Sequence, residues 1–322
     1  MEITFKSVLV TGGCGFIGAS VVRELTACGA SVRVLDNMSR GWRDNLRDVP
    51  VEIMQGDVRD AETVSRALAG IEAVVHLAAY GSVTESVTGL AENFDVNVRG
   101  TVTMLRAATE HDVGKFVFAS SGGAVIGPAA PPVSEDSIPR PLSPYGASKL
   151  CGEAYCHAFA GSFGLPAVVL RFANVYGPYS AHKRGAVTNF IKAILLDEPI
   201  VIYGDGSVTR DFIHVDDICM GILESLQRDL APGTVLHLAT GVETTVSTLA
   251  RMVCAAAGRN EYPLRHEPPR RGELERNFAN FARARAMLGF SPRVTLREGL
   301  RRTFAWFEAQ DRSALRQTSS EA

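Results

Sequence analysis

Short, unbroken apolar runs alternate along the first half of the chain with longer helical patterns. The runs 7–11 "SVLVT", 31–35 "SVRVL", 51–54 "VEIM", 73–77 "AVVHL", 115–119 "KFVFA" and 166–170 "PAVVL" predict strands. Between them, 16–27, 60–69, 89–111 and 145–163 predict helices. Val, Leu and Ile run on without polar alternation, as in strands covered on both faces of a parallel sheet. Repeated strand–helix alternation of this kind predicts a doubly wound α/β fold.

Beyond about residue 176 the texture changes. Longer loops rich in Pro, Gly and Arg ("YGPYSAHKRG", "YGDGSVTRDF", "HEPPRRGELERN") separate predicted helices at 186–197, 215–228, 245–257, 280–288 and 296–309. The run 234–238 "TVLHL" reads as one more sheet strand. This predicts a cofactor-type domain over 1–176, with sheet elements returning around 213–240. A smaller interleaved α/β lobe over 177–212 and 241–312 would form a lid, leaving a polar tail at 313–322.

Composition narrows the classes. With 322 residues, 46% hydrophobic, 21% charged and a formal charge of -2, the chain reads as an ordinary globular protein. The absence of a basic block gives no reason to expect nucleic acid or a membrane surface. No signal peptide or spanning run is legible, and six scattered cysteines without a C-x-x-C pair suit reduced thiols. A cytoplasmic location follows as the expectation, and no metal site is expected.

The candidate chemistry begins at "VLVTGGCGFIGASVVREL". Gly13, Gly15 and Gly18 have a G-x-G-x-x-G spacing between a predicted strand and helix. Such glycines permit a tight turn and a close approach of backbone to a pyrophosphate resting on the helix N-terminus. Asp36 follows at the end of the second strand, 18 residues after Gly18, where a carboxylate accepts ribose hydroxyls and repels a 2′-phosphate. That favours NAD, although Arg40 and Arg43 lie close enough to tolerate a phosphate. Asp57 in "GDV" has two readings, a contact to the adenine amino group or a turn residue before the helix at 60.

"SPYGASKLCGEAY" supplies the second element. Ser143 is a plausible N-cap and Pro144 suits the first helical position. Tyr145 and Lys149 then lie one turn apart on one face. Forming phenolate at neutral pH costs roughly 4 kcal/mol. A neighbouring ammonium and the helix N-terminus favour the anion, so the pair builds a general base. Upstream, "SSGGAVIG" ends a predicted strand with two hydroxyls followed by two glycines.

In order, "TGGCGFIG", "DNMSRG", "GDV", "HLAA", "SSGGAVIGP", "SPYGASK", "RFANVYGP", "VIYGDGSVTRDFIHVDD" and "RRGELERNFAN…LGF" resemble the extended short-chain dehydrogenase/reductases. Within that group they resemble the NAD-dependent sugar-nucleotide epimerase/dehydratase family, and its UDP-glucose 4-epimerase-like members most. The match spans about residues 5 to 308. It implies a Rossmann domain with a nucleotide-sugar lobe, NAD as cofactor, and a homodimer formed through helices 89–111 and 145–163.

By the same resemblance, Gly12, Gly15, Phe16, Ile17 and Gly18 would hold the pyrophosphate, Asp36 and Asn37 the adenosine ribose, and Asp57 with Val58 the adenine. Tyr145 would be the base, with Lys149 on the nicotinamide ribose. Asn174, Arg210 and Arg270 would contact the diphosphate of the sugar nucleotide, Tyr203 the uracil and Glu273 its ribose.

Departures from the family pattern sharpen the expected reaction. Gly122 stands where members carry Ser or Thr, which makes Ser121 the nearest hydroxyl. Ile126 replaces an aromatic, and Gly81 stands where some 4-epimerases have Lys. The Asp-Glu pair of 4,6-dehydratases is replaced by Gly122-Gly123, which disfavours elimination and leaves C4 epimerisation of a UDP-hexose as the expectation. Asn277 falls where a Tyr limits some 4-epimerases to unsubstituted hexoses, so N-acetylhexosamines join the candidate substrates. The basic loop "AHKRG" at 181–185 keeps a UDP-glucuronate substrate open. A non-catalytic NAD-binding protein would be expected to lose Tyr145 or Lys149, and both are present.

Overall fold

The computed structural model describes residues 4–270, 274–311 and 315. Seven of the apolar runs pair into one parallel sheet: β1 (Ser7–Thr11), β2 (Ser31–Asp36), β3 (Glu52–Gln55), β4 (Ala73–His76), β5 (Lys115–Ser121), β6 (Ala167–Phe172) and, from late in the chain, Thr234–Leu238. The late strand pairs with β6, Leu236 opposite Leu170, at one edge of the sheet. Spatially, β6, β5, β4, β1, β2 and β3 then follow in that order.

Alternation of side chains divides the apolar residues between two cores. Val8 and Val10 face one side with Val21, Val22, Ile218 and Ile222. Leu9 and Val74 face the other with Val64, Leu105 and Phe118. The helices covering these faces include α1 (Phe16–Ala27), α2 (Ala61–Leu68), α3 (Val83–Thr88), α4 (Leu90–Phe94), α5 (Gly100–Glu110), α6 (Gly122–Ile126) and α7 (Pro144–Phe163). Strand order reverses between β1 and β4, so a crevice opens beyond their carboxyl ends, where open α/β sheets hold ligands.

After β6 come β7 (Asn174–Tyr176), α8 (Ala186–Leu195), β8 (Ile200–Tyr203), β9 (Thr209–Arg210), β10 (Phe212–His214) and α9 (Val215–Gln227). The late sheet strand is β11, followed by β12 (Thr244–Thr245), α10 (Val246–Ala256), β13 (Leu264–Glu267), β14 (Arg276–Asn277), α11 (Ala282–Leu288) and α12 (Leu296–Glu308). Three small sheets join β7 to β10, β9 to β12 and β14, and β8 to β13. A separate core of Phe190, Ile194, Ile202, Leu249, Val253, Leu300, Phe304 and Phe307 binds α8, α10 and α12 together.

The expected helix at 89–111 is interrupted. It forms α4, one π-helical turn over Asp95–Arg99, and then α5. The six cysteines are all free, and no helix among the described residues is long and apolar enough to cross a membrane.

Candidate functional site

The glycine turn between β1 and α1 is as tight as its spacing predicts. Gly12 has φ +68°, and a Cβ there would lie 2.9 Å from the Ala78 nitrogen. At Gly18 a Cβ would come within 2.1 Å of the Gly12 oxygen, so only glycine permits this helix–strand approach. Gly15 caps α1 with no side-chain partner, leaving the helix N-terminus open to an anion. Phe16 is buried in the core, and Ile17 packs against that core from a partly buried position.

Asp36 locks this turn in place. Its Oδ2 accepts from the Cys14 N–H (3.0 Å) and its Oδ1 from the Met38 N–H (2.8 Å). Burial raises its pKa, and the two backbone donors oppose that. Asp57 receives Arg59 through Nε and Nη2, both at 2.8 Å, together with Asn37 Nδ2 at 3.0 Å. Hydrogen bonding to that guanidinium holds the Asp57 carboxyl well below the usual carboxylate range. Asp60, rather than Asp57, caps α2. Val58 lies in the core, where its side chain fills the space that a Cβ at Gly100 would need. These residues fit an adenosine diphosphate moiety: an unencumbered helix N-terminus, a close-packed glycine turn and a carboxylate at the end of β2.

The Ser143 side chain accepts from the Gly146 N–H, so α7 begins where its cap and proline predict. Tyr145 is half-buried, and no described residue hydrogen-bonds its hydroxyl. Desolvation pushes the phenol up to about 12. Lys149 is buried, donates to the Ala119 carbonyl (2.8 Å), and sits 6.0 Å from the centre of the Tyr145 ring. Burial brings its ammonium down to about 8. Desolvation therefore pulls both pKa values toward the neutral forms.

A buried chain of hydrogen bonds, not evident from the sequence, ties the helix bearing this pair to the glycine-turn strand. Thr101 Oγ1 donates to the Asn97 carbonyl (2.6 Å), which leaves its lone pairs for His76 Nε2–H (3.1 Å). His76 Nδ1 then accepts from Thr11 Oγ1 (2.7 Å) at the end of β1. Burial, then the charge of Lys149, keeps this imidazole neutral with a pKa of about 3. The π turn presents Asn97 to Tyr80 N–H (2.7 Å) and to Ser148 Oγ (2.9 Å), and Ser148 donates to the Tyr145 carbonyl (2.8 Å). π turns recur at functional sites.

The two hydroxyls at the end of β5 part company. Ser120 donates to Glu153, whose carboxylate takes Arg171 through Nε (2.9 Å) and Nη2 (2.7 Å), and all three residues are buried. Ser120 is thus a structural residue behind the site. Ser121 is half-buried, and no described residue hydrogen-bonds its hydroxyl. Gly122 leaves room, since a Cβ there would meet nothing nearer than the Phe172 oxygen at 3.6 Å. Gly123 does not, because the Asn277 amide nitrogen lies 2.4 Å from its Cβ position.

On the far side of the crevice, Asn174 donates to the Asp211 carbonyl (3.2 Å) and Arg210 Nη1 to the Thr209 and Leu274 carbonyls (both 2.7 Å). β9 pairs with β14, which sets Arg210 opposite Asn277. The Arg270 guanidinium stacks on the Tyr203 ring, 3.9 Å from its centre. Glu273 lies outside the described residues.

The family model for the NAD dependent epimerase/dehydratase family matches residues 8–239. The UDP-glucose 4-epimerase of Mycolicibacterium smegmatis is 39% identical over 311 residues, covering 93% of this chain and 97% of that relative. A dTDP-glucose 4,6-dehydratase of Streptomyces niveus is 33% identical over 311 residues, covering 93% and 92%. Among solved structures, the UDP-glucose 4-epimerase of Thermus thermophilus in complex with NAD aligns with a TM-score of 0.89 at 36% identity, over 95% of this chain and 100% of that one. The family model and these relatives show NAD as the cofactor. The chain belongs to the NAD-dependent epimerase/dehydratase family.

Proposed function

We propose that the protein epimerises a nucleotide sugar at C4, with UDP-glucose and UDP-galactose as its main substrates and their N-acetyl forms also accepted. The observation that carries this reading is Tyr145 with Lys149 beside a strand end that offers no carboxylate. Elimination from a hexose requires an acid and a base next to the sugar. Gly122, Gly123 and Ala124 supply neither. Epimerisation needs only a residue that takes and returns the C4 hydroxyl proton.

Tyr145 fills that role, and Lys149 supplies the cation that stabilises its phenolate. The Gly12–Gly18 turn with Asp36, Asn37 and Asp57 would hold NAD, which when bound would supply a reversible hydride acceptor. Ser121 hydrogen-bonds the sugar oxygen. Asn174, Arg210 and Arg270 hold the diphosphate, as charge-assisted contacts suit. Tyr203 and Glu273 serve the base and its ribose. An anchor at the diphosphate leaves the sugar free to turn over and present its other face to the site. Uracil stacking on the face of Tyr203 that Arg270 covers requires the arginine to swing toward the phosphates. Asn277, in place of the Tyr that limits some 4-epimerases to unsubstituted hexoses, supports acceptance of an N-acetyl group.

A UDP-hexuronate substrate is the second reading, favoured by the cationic 181–185 loop at the crevice. The test is incubation with UDP-hexoses, UDP-N-acetylhexosamines and UDP-hexuronates without added cofactor, following the sugar H4 signal by NMR. Inversion at C4 of a hexose is expected; conversion of none would sink the epimerase reading. Tyr145→Phe should lower kcat about 10²- to 10⁴-fold while NAD affinity survives.

A further inference from the structure

The loop between β7 and α8 reaches back over the dinucleotide crevice. Arg184 pairs with Glu85 at 3.1 Å, and the same carboxylate takes Arg40. His182 meets Trp42 edge-on with ring centres 5.3 Å apart, and the backbone N–H of Trp42 donates to the Cys14 carbonyl inside the glycine turn. The loop therefore touches the segments following both β2 and β4, which flank the place where a dinucleotide would lie. Two arginines already share Glu85.

Lys183 sits between these attachments. Its Nζ lies 4.0 Å from the position a Cβ would take at Gly81, and the other near atom at that glycine is the Ala79 oxygen at 3.9 Å. No described residue accepts a hydrogen bond from this ammonium. Desolvation first, then Arg40, depresses its pKa, against the attraction of Glu85. Neighbouring His182 has a buried Nδ1 without a partner. Arg40 and Arg184 both pair with Glu85, which leaves Lys183 as the cation here with no acceptor among the described residues. A desolvated ammonium with no hydrogen-bond acceptor is stabilised by an anionic ligand.

We propose that Lys183 is an anion-binding residue of the ligand site, its ammonium reaching past the bare backbone of Gly81. The anion is the pyrophosphate of the bound dinucleotide or a carboxylate on the bound sugar. The inference rests on the nucleotide-sugar reading above, but its test measures affinity and is independent of turnover.

The full-length protein freed of cofactor is titrated calorimetrically with NAD, ADP-ribose, AMP, UDP-glucose and UDP-glucuronate, as wild type and as Lys183→Ala. Loss of a charge-assisted contact predicts about a tenfold or greater drop in affinity for the ligands that carry the anion. A drop for NAD and ADP-ribose with AMP unchanged identifies the pyrophosphate. A drop for UDP-glucuronate with UDP-glucose unchanged identifies the carboxylate. Unchanged affinity throughout, or equal losses that include AMP, overturns the proposal. Lys183→Arg should retain binding. Gly81→Lys added to Lys183→Ala should recover affinity, because the cation re-enters the same space from the other loop and Cβ fits at 81.

Discussion

At Gly122 the missing hydroxyl is not forced by packing, since a Cβ would meet only ordinary contacts with Phe172 at 3.6 Å and His237 at 3.9 Å. Ser121 is then the available hydroxyl, because Ser120 is committed to Glu153. Ser121→Ala should reduce kcat by about tenfold or more, as expected for a hydrogen bond to developing charge. Adding Gly122→Ser to that variant should restore much of the rate with no measurable loss of stability. Steady-state kinetics and urea midpoints check both, and an unaltered rate in Ser121→Ala would remove this serine from the mechanism.

Lys149 yields a pH signature of opposite sign in rate and in stability. On the proposed mechanism activity needs the ammonium, so kcat/KM should fall above about pH 8 in the wild type. The unfolded chain keeps this proton up to the ordinary 10.5, whereas the folded protein releases it near 8. In that window the unfolded state binds more protons, so the contribution of Lys149 to stability rises with pH. Urea midpoints of wild type minus Lys149→Met should therefore rise between about pH 8 and 10.5. Tyr145 acts in the opposite direction at higher pH. Its folded phenol holds its proton to about 12 while the unfolded one releases it near 10, so stability falls across that interval. A flat difference curve between wild type and Lys149→Met would refute the burial argument for this lysine.

At the scale of elements, legibility followed the physical strength of the signal. β1, β5 and β6 are continuous apolar runs and α7 begins with its own cap and proline, so β1 lies at its expected bounds, α7 starts one residue early, and β5 and β6 run two residues past their expected ends. The glycine turn was equally legible, because close backbone approach allows only glycine at 12 and 18. The π turn at Asp95–Arg99 was not, because inserting one residue in a turn leaves no periodicity to read. Its consequence, Asn97 aimed at Ser148 and Tyr80, was hidden with it. β9, β12 and β14 are two residues each, too short for alternation, so the pairing that sets Arg210 opposite Asn277 appears only in the fold. Arg171 alone within the apolar "AVVLRF" was a visible hint of a buried partner, and that partner is Glu153.

For the molecule as a whole, six of the thirteen exposed large apolar side chains among the described residues lie on α3, α4 and α7. α3 and α4 pack against α7. On their outer surfaces Val87 is 65%, Leu90 60%, Phe94 56% and Phe163 62% exposed. Leu90 and Phe94 are one turn apart, as are Tyr155, Phe159 and Phe163 in succession, so each helix carries an apolar stripe. Clustered large apolar side chains on a surface mark an interaction site rather than chance exposure. We propose a homodimer in which these helices of one protomer meet those of the other across a two-fold axis. A two-fold contact repeats each residue on both sides, so a single Phe94→Glu substitution places two buried charges in the interface. Sedimentation equilibrium should show a dimer for the wild type and a monomer for Phe94→Glu. Far-UV circular dichroism should be retained, because the exposed side chain supports little within its own chain. A wild type that sediments as a monomer at high micromolar concentration would defeat the assignment. So would a Phe94→Glu variant that remains a dimer.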